Sequence, residues 1–428
     1  MAKIVIIGAG LSGLSCAYHL NSEYLLLEKE DKAGGLCRSE ASRGFLFDYS
    51  GHLLHLHHPY TKKLIAKLLA ENLLEHRRSA WINSHSIYTR YPFQANTYGL
   101  PEKVIWDCLS GMIKAHCKFS AQQNFSSFYD WILKNFGEGI ARHFMAPYNK
   151  KLWLVHPQQL TCEWLYPFVV RPDIKEAIKG AFLDNRQSFG YNVSFFYPRA
   201  GGIEVLPGKM AEKIKNLLLN KQVVEVNAQK KCLLLKDGTK TFYDKLVSTM
   251  PLPELLNVLT DLPAKIRLLA GKLAWTSVLN VNLGINRPKI TDKHWIYFPE
   301  KKYIFYRAGF SSNFSRTICP PGTSAIYIEV SYRPGKKLNK EKTLNKIIAG
   351  LRSAKILEKK DLILTTQFLD IPYAYVLYNR QRTPAVKVIQ EYLQSKNIYS
   401  IGRYGGWEYS YMEGAILQGK ELAERLDS

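Results

Sequence analysis

The sequence predicts an α/β protein: a Rossmann-type nucleotide-binding domain, a helical insertion, and a second, mixed or antiparallel β-sheet domain. Three observations predict it. The β-branched run Ile4-Val5-Ile6-Ile7 passes straight into Gly8-Ala9-Gly10-Leu11-Ser12-Gly13. Residues 60–74, 103–117 and 125–145 carry apolar positions at helical spacing. Short strand-like runs bounded by turn residues recur between residues 222 and 332. The 428 residues suit two or three interlocked domains, and 46% hydrophobic with 22% charged residues is an ordinary globular balance.

Residues 4–7 suit a parallel strand buried on both faces. In the G-x-G-x-x-G that follows, Gly8 permits the tight turn and Gly10 lets the backbone approach a pyrophosphate. Gly13 lets the helix lie close to the strand. Leu11 and Ser12 open that helix, predicted over residues 11–20, and its first N–H groups face the phosphates. A second strand over residues 24–27 ends at Glu28, placed where an acid accepts hydrogen bonds from ribose hydroxyls. This unit alone does not separate FAD from NAD. Residues 29–39 read K-E-D-K-A-G-G-L-C-R-S. Gly34-Gly35, followed by Leu36 and Arg38, resembles the second glycine-rich turn of FAD-dependent amine oxidases, which packs under the FAD pyrophosphate. Non-covalent FAD is therefore the expected cofactor.

The three helical segments between residues 60 and 145 form the expected insertion over the flavin. A strand over residues 191–198 turns at Arg199-Ala200-Gly201-Gly202 into a helix containing Met210 and Ile214. Residues 222–226, which include Val223, then 231–236 and 241–249 read as a β-meander around the turn Asp237-Gly238. Further strands over 276–283, 294–298, 303–307 and 325–332 build the second sheet. A last strand over 398–401 leads into Gly402-Arg403-Tyr404-Gly405-Gly406, and Met412 opens a C-terminal helix. Its N-terminus suits partial negative charge on a reduced flavin ring, and Arg403 suits the pyrophosphate. The expected division is 1–58, 191–260 and 386–428 for the FAD domain, 59–190 for the helical cap, and 261–385 for the substrate sheet.

The net charge is +23, spread along the chain rather than concentrated in a tail. It fits a solvated basic surface, attraction to anionic lipid, or an anionic substrate such as a nucleotide sugar. Nucleic acid is the weaker partner, since no recognition motif for it is present. The seven cysteines form no C-x-x-C pair, which argues against a disulfide framework or structural zinc and for a reducing compartment. No cleavable leader pattern and no membrane-length apolar run stand out. The expected location is cytoplasmic, or peripheral to the inner face of the membrane. Oligomeric state stays open.

Across nearly its whole length the chain resembles the UDP-galactopyranose mutase family, within the larger amine oxidase and protoporphyrinogen oxidase superfamily. The matching stretches are Ser50-Gly51-His52, Tyr91-Pro92-Phe93-Gln94-x-Asn96, Pro147-Tyr148-Asn149-Lys150-Lys151-Leu152-Trp153, Leu246-Val247-Ser248-Thr249-Met250, Tyr297-Phe298-Pro299-Glu300, Phe305-Tyr306-Arg307-Ala308, and Gly402-Arg403-Tyr404-Gly405-x-Trp407-x-Tyr409. The resemblance implies isomerisation of a nucleotide sugar between pyranose and furanose rings, through an adduct at N5 of reduced FAD. NAD(P)H is a candidate external reductant. It places Gly51 and His52 near the flavin N5 edge, Asn149 and Trp153 along the uridine–diphosphate side, and Arg307 on the diphosphate. Tyr297, Tyr373 and Tyr409 would offer hydroxyls.

Apart from the resemblance, Trp153 and the tyrosines fit core aromatics, and Arg307 fits an ion-pair partner. His52, His55, His57 and His58 suggest a metal site, but no carboxylate or cysteine cluster adjoins them. The sequence also departs from the mutase pattern. Phe168 stands where a second diphosphate arginine is expected, with Arg171 offset from it. Phe314 replaces a tyrosine, and Pro372-Tyr373-Ala374-Tyr375 departs as well. Tyr411-Met412-Glu413-Gly414-Ala415 resembles amine and protoporphyrinogen oxidases instead of the mutases. The alternative function is therefore an FAD-dependent oxidase or dehydrogenase.

Overall fold

A computed structural model describes residues 4–119 and 124–428. Residues 1–3 of the expected segment 1–58, and residues 120–123 of the segment 59–190, lie outside the described residues.

Ile4–Ile7 forms the centre of a five-stranded, all-parallel sheet. Tyr24–Leu27 and then Leu217–Leu218 lie on one side of it, and Lys245–Ser248 and then Ile398–Ser400 on the other. All four residues of Ile4–Ile7 are buried, as a strand covered on both faces requires. The sheet gathers strands from five separate stretches of chain, so its elements are discontinuous in sequence. The last helix, Met412–Asp427, packs along Leu11–His19. A Cβ at Gly419 would overlap the Ser12 carbonyl, so glycine permits this approach. Asp427 ties the far end by accepting the N–H groups of Asn21 and Ser22 at 2.8 and 3.0 Å.

The second sheet has seven strands and is mixed. Its order is Ile363–Val376, Trp275–Ile285, Ser324–Tyr332, Arg307–Gly309, Trp295–Tyr297, Ala80–Ser84 and Ile87–Arg90. Only Trp295–Tyr297 with Ala80–Ser84 is a parallel pair. A smaller antiparallel sheet, Val223–Asn227, Cys232–Leu235 and Lys240–Phe242, stands beside the parallel one. The expected class, a Rossmann-type sheet with helices and a second mixed sheet, is the class observed.

Several elements differ from their sequence expectation for identifiable reasons. The helix expected over 60–74 is Pro59–Leu69; it stops where Ala70 takes φ 44°, and Leu73–Arg77 is a strand paired with Ser194–Pro198. The helix over 125–145 is Phe128–Ile140, broken at Gly137 with φ 75°, and continues as a π turn over Ala141–Met145. A Cβ at Gly137 or Gly139 would overlap the backbone of Gly111 or Asp107, so contact with Glu102–Lys118 selects these glycines. The single strand over 241–249 splits in two, Lys240–Phe242 and Lys245–Ser248. The strand over 303–307 starts only at Arg307; just before it, the Phe305 carbonyl is taken by a lysine instead of a neighbouring strand. Lys151 Nζ donates to Phe298, Glu300 and Phe305 O at 2.6, 2.9 and 2.7 Å.

Candidate active site

The two glycine turns meet face to face. Gly34 N–H donates to Ala9 O at 2.8 Å, and Gly10 and Gly34 form an isolated parallel bridge. A Cβ on Gly35 would lie 3.2 Å from Gly10 Cα, and one on Gly13 would overlap the Gly8 carbonyl. Gly8 has φ 96° and Gly34 φ 130°, conformations that disfavour side chains. Backbone without side chains therefore forms the cradle, at the N-terminus of Leu11–His19. Glu28 is buried beside it and accepts Ala9 N–H at 2.6 Å and Glu30 N–H at 3.1 Å. Lys221 N–H donates to Glu28 O at 2.7 Å, which brings the segment of Val223 alongside. Gly402 backs onto Ser12, where a Cβ would lie 2.5 Å from the hydroxyl. Leu36 is half-buried, and Arg38 lies over the Tyr49 ring at 5.2 Å with a buried Nε that lacks a partner among the described residues. A narrow trough of bare backbone with an acid at one end and an unpaired guanidine N–H at the other suits the ribose and pyrophosphate of FAD.

Beside the cradle, Arg307 and Glu329 sit among packed aromatic rings. Arg307 and Glu329 are register partners on adjacent strands. The guanidinium holds the Glu329 carboxylate through Nε and Nη2, the latter at 2.7 Å, and Ser50 Oγ also donates to Glu329. The carboxylate keeps the guanidinium charged against the cost of burial. Nη1 of Arg307 has no hydrogen-bond partner among the described residues and faces away from this pair. His52 is set by the preceding turn, where Ser50 takes φ 83° and His52 N–H donates to Ser50 O at 3.1 Å. Burial, reinforced by the positive charge of Arg403, lowers the His52 ring to about 4, and its Nδ1 is buried without a partner among the described residues. Gly51 accepts the Tyr327 ring against its backbone, where a Cβ would collide with it.

The cleft walls are aromatic. Tyr409 lies 4.6 Å from Phe168, 5.6 Å from Trp164, 5.9 Å from Trp153 and 6.0 Å from Tyr375, all between ring centroids. Tyr297 packs on Tyr91 and Tyr148 at 5.4 and 5.3 Å. Burial raises Tyr148, Tyr375 and Tyr409 above the usual phenol range, so their hydroxyls stay protonated and can donate.

Not every expected residue converges here. Trp153 Nε1 donates to Asn149 Oδ1 at 3.0 Å, and Asn149 Nδ2 donates to Met145 O at 2.8 Å. Both side chains are buried and form wall. Tyr373 points away: it stacks on Trp275 and donates to Glu254 at 2.6 Å. The register shift between Thr276 and Val278 turns Tyr375, not Tyr373, towards Trp153 and Tyr409. Arg403 donates to the carbonyls of Ser410 and Ala374 and lies 5.1 Å from the Tyr409 ring centroid, so it faces the aromatic cleft. Arg171 is exposed and does not replace the arginine absent at Phe168. Phe314 is buried against Phe195 and Tyr197. Among the described residues no three His, Cys, Asp or Glu side chains are placed to hold a metal ion.

Sequence reasoning passed over Glu329, although a lone acid in the apolar run Ala325–Val330 was a visible signal. It also gave no role to Glu413. That carboxylate is buried at the start of the last helix and accepts the N–H groups of His57 and His58 at 2.8 and 2.9 Å and the Thr61 hydroxyl. It fixes Met412 and the uncapped helix N-terminus beside the segment that carries His52.

A parallel sheet, a backbone dinucleotide cradle and an aromatic cleft define an FAD-dependent enzyme. The flavin containing amine oxidoreductase family model matches residues 11–427, and the chain belongs to that family. A UDP-galactopyranose mutase solved in its reduced form is 29% identical, with TM-score 0.94, covering 100% of this chain and 94% of that one. A candidate protoporphyrinogen oxidase from Exiguobacterium sp. 255-15 shares the fold at 15% identity and TM-score 0.77, covering 100% of this chain and 98% of that one. An uncharacterised protein of Methanothermococcus thermolithotrophicus is 49% identical over 55 residues, which is 12% of this chain and 53% of that protein. The chain thus spans about half the length of the curated relative it matches. Among the described residues no helix is long and apolar enough to cross a membrane.

Proposed function

We propose that the chain is a mutase-like isomerase that interconverts pyranose and furanose forms of a nucleotide sugar. The observation that carries this reading is the disposition of Arg307. One edge is clamped by buried Glu329, Nη1 has no partner among the described residues, and the guanidinium lies near Tyr148, Tyr375 and Tyr409. Such an arginine binds an anionic leaving group without having to be ordered first. The full-length likeness to a UDP-galactopyranose mutase points to the same substrate class.

Gly8, Gly10, Gly13, Glu28, Gly34, Gly35 and Arg38 would hold the adenosine diphosphate part of FAD. His52, Arg403 and the helix opened by Met412 would border its ring. Bound and reduced, FAD supplies the nucleophile and electron density that this chemistry needs. His52 is neutral at pH 7 and can exchange one hydrogen bond at Nδ1. Tyr297, Tyr375 and Tyr409 would orient the sugar or its phosphates, while Asn149 and Trp153 wall off water.

A second reading is favoured by Phe168. Its ring packs on Tyr409 where the second diphosphate arginine is expected, which leaves Arg307 and the carbonyl-bound Arg403 as the cations beside these rings. An oxidase or dehydrogenase acting on a less charged substrate suits that balance. Titrating dithionite-reduced protein with UDP and UDP-galactose decides between them. The mutase reading expects both to bind, and binding to weaken at least tenfold in Arg307→Lys, which loses the bidentate fork. Absence of binding, together with oxygen uptake on an amine or porphyrinogen, would establish the oxidase reading.

A further inference from the structure

Two neighbouring helices of the insertion each carry exposed apolar side chains on their outer faces. On Glu102–Lys118, Trp106 and Ile113 lie on the outermost face, 72% and 42% exposed, opposite buried Val104, Cys108, Met112 and Ala115. On Ile174–Phe182, Ile178 and Phe182 lie one turn apart and are 38% and 69% exposed, opposite buried Ala177, Gly180 and Ala181. The two helices are antiparallel neighbours. The loop before the first ends on the second, where Thr97 and Tyr98 N–H donate to Gly180 O at 3.0 and 2.9 Å. At the opposite end, Met112 and His116 border Asp173 and Ile174. Tyr98, 50% exposed, extends the same rim.

Soluble proteins rarely gather this many large apolar side chains on adjacent outward faces. The charges around them are selective. Lys103, Lys114, Lys175 and Lys179 are exposed beside the apolar stripe and form no ion pair among the described residues. Of the nearby acids, Asp107 bonds His143, Glu176 bonds Asn185 and Asp184 bonds Arg90, while Glu102 and Asp173 are exposed at the helix starts, so lysines outnumber free carboxylates on this face. Apolar residues that insert, flanked by unpaired lysines on a chain of net charge +23, complement an anionic lipid surface.

We infer that this two-helix face docks the enzyme on an anionic membrane surface, with Trp106 and Phe182 entering the headgroup–acyl boundary. The inference is independent of which reaction the cleft performs. The test is co-sedimentation of the full-length flavin-loaded protein with vesicles of phosphatidylcholine, with and without phosphatidylglycerol. Binding is expected only when phosphatidylglycerol is present and should fall with added salt. Trp106→Ser combined with Phe182→Ser should weaken it at least tenfold while the flavin spectrum and melting temperature are retained. Lys103→Ala and Lys179→Ala should each weaken it roughly fivefold. No binding to anionic vesicles, or equal binding by the double serine variant, overturns the inference. So does a parent protein that sediments as a dimer and becomes monomeric in that variant, since a second copy would then cover the face.

Discussion

At the scale of single residues, Arg307 and Glu329 carry the most exposed risk. Removing the guanidinium leaves a carboxylate buried without its counter-charge, so Arg307→Ala should cost about 3–5 kcal/mol in a denaturant melt. Arg307→Leu with Glu329→Leu should recover most of that loss, because the pair is then removed whole. Both variants should lose nucleotide affinity. An Arg307→Ala protein as stable as the parent would contradict the buried pair.

Histidine protonation gives a second prediction at this scale. His52, His55 and His294 are all lowered to about 4 from 6.5, chiefly by burial. The unfolded chain therefore binds their protons first. Their contribution to stability is intact above pH 6.5 and is lost as pH falls towards 4. Asp48 runs the other way, since burial raises it to about 6 despite hydrogen bonds from Ser39 and Tyr197. Three groups outweigh one, so a melt series should show stability rising from pH 4 to 6.5. A flat profile would contradict the burial of these rings. The sequence made His52 and Arg307 legible as candidates. It did not show that Tyr373 and Tyr375 exchange places, because a β-bulge lies in pairing rather than in composition.

At the scale of elements, the glycine turns separate cofactor binding from folding. A Cβ at Gly10 meets only Gly35 Cα at 3.9 Å, so Gly10→Ala should fold normally yet crowd the pyrophosphate. It should lower FAD affinity at least tenfold, read by flavin fluorescence, with the apoprotein melt unchanged. Gly13→Ala should destabilise the apoprotein itself, because its Cβ overlaps the Gly8 carbonyl. Equal effects of the two substitutions on the apoprotein would refute the assignment. Glu413→Ala should cost about 1–3 kcal/mol, leaving the buried Thr61 hydroxyl and the half-buried N–H groups of His57 and His58 without their acceptor.

The same scale shows what patterning conveys. The first strand, turn and helix were readable because each glycine has a separate steric duty. The strand Ile363–Val376 was not anticipated beyond residue 332, and Pro372 argues locally against it. It survives because it is an edge strand, where a missing N–H faces no partner. The hairpin Ala80–Ser84 with Ile87–Arg90 joins the second sheet from within the insertion, a long-range pairing with no local signature.

At the scale of the whole molecule, the parallel sheet draws on five stretches of chain and sets the cradle against the cleft. That arrangement makes folding and flavin binding interdependent, and apoprotein should unfold at lower temperature than flavin-loaded protein. Class and cofactor were legible because the motifs are local and strongly constrained. Substrate was less so, since it depends on how Arg307, Glu329, Phe168 and Tyr409 meet across separate elements.

The most direct measurement follows the sugar itself. Dithionite-reduced, flavin-loaded protein is incubated anaerobically with UDP-galactopyranose, and the anomeric proton is watched by NMR. The account predicts that furanose signals appear and reach equilibrium while the flavin stays reduced. An unchanged pyranose spectrum, from protein that retains its flavin and fold, would contradict it.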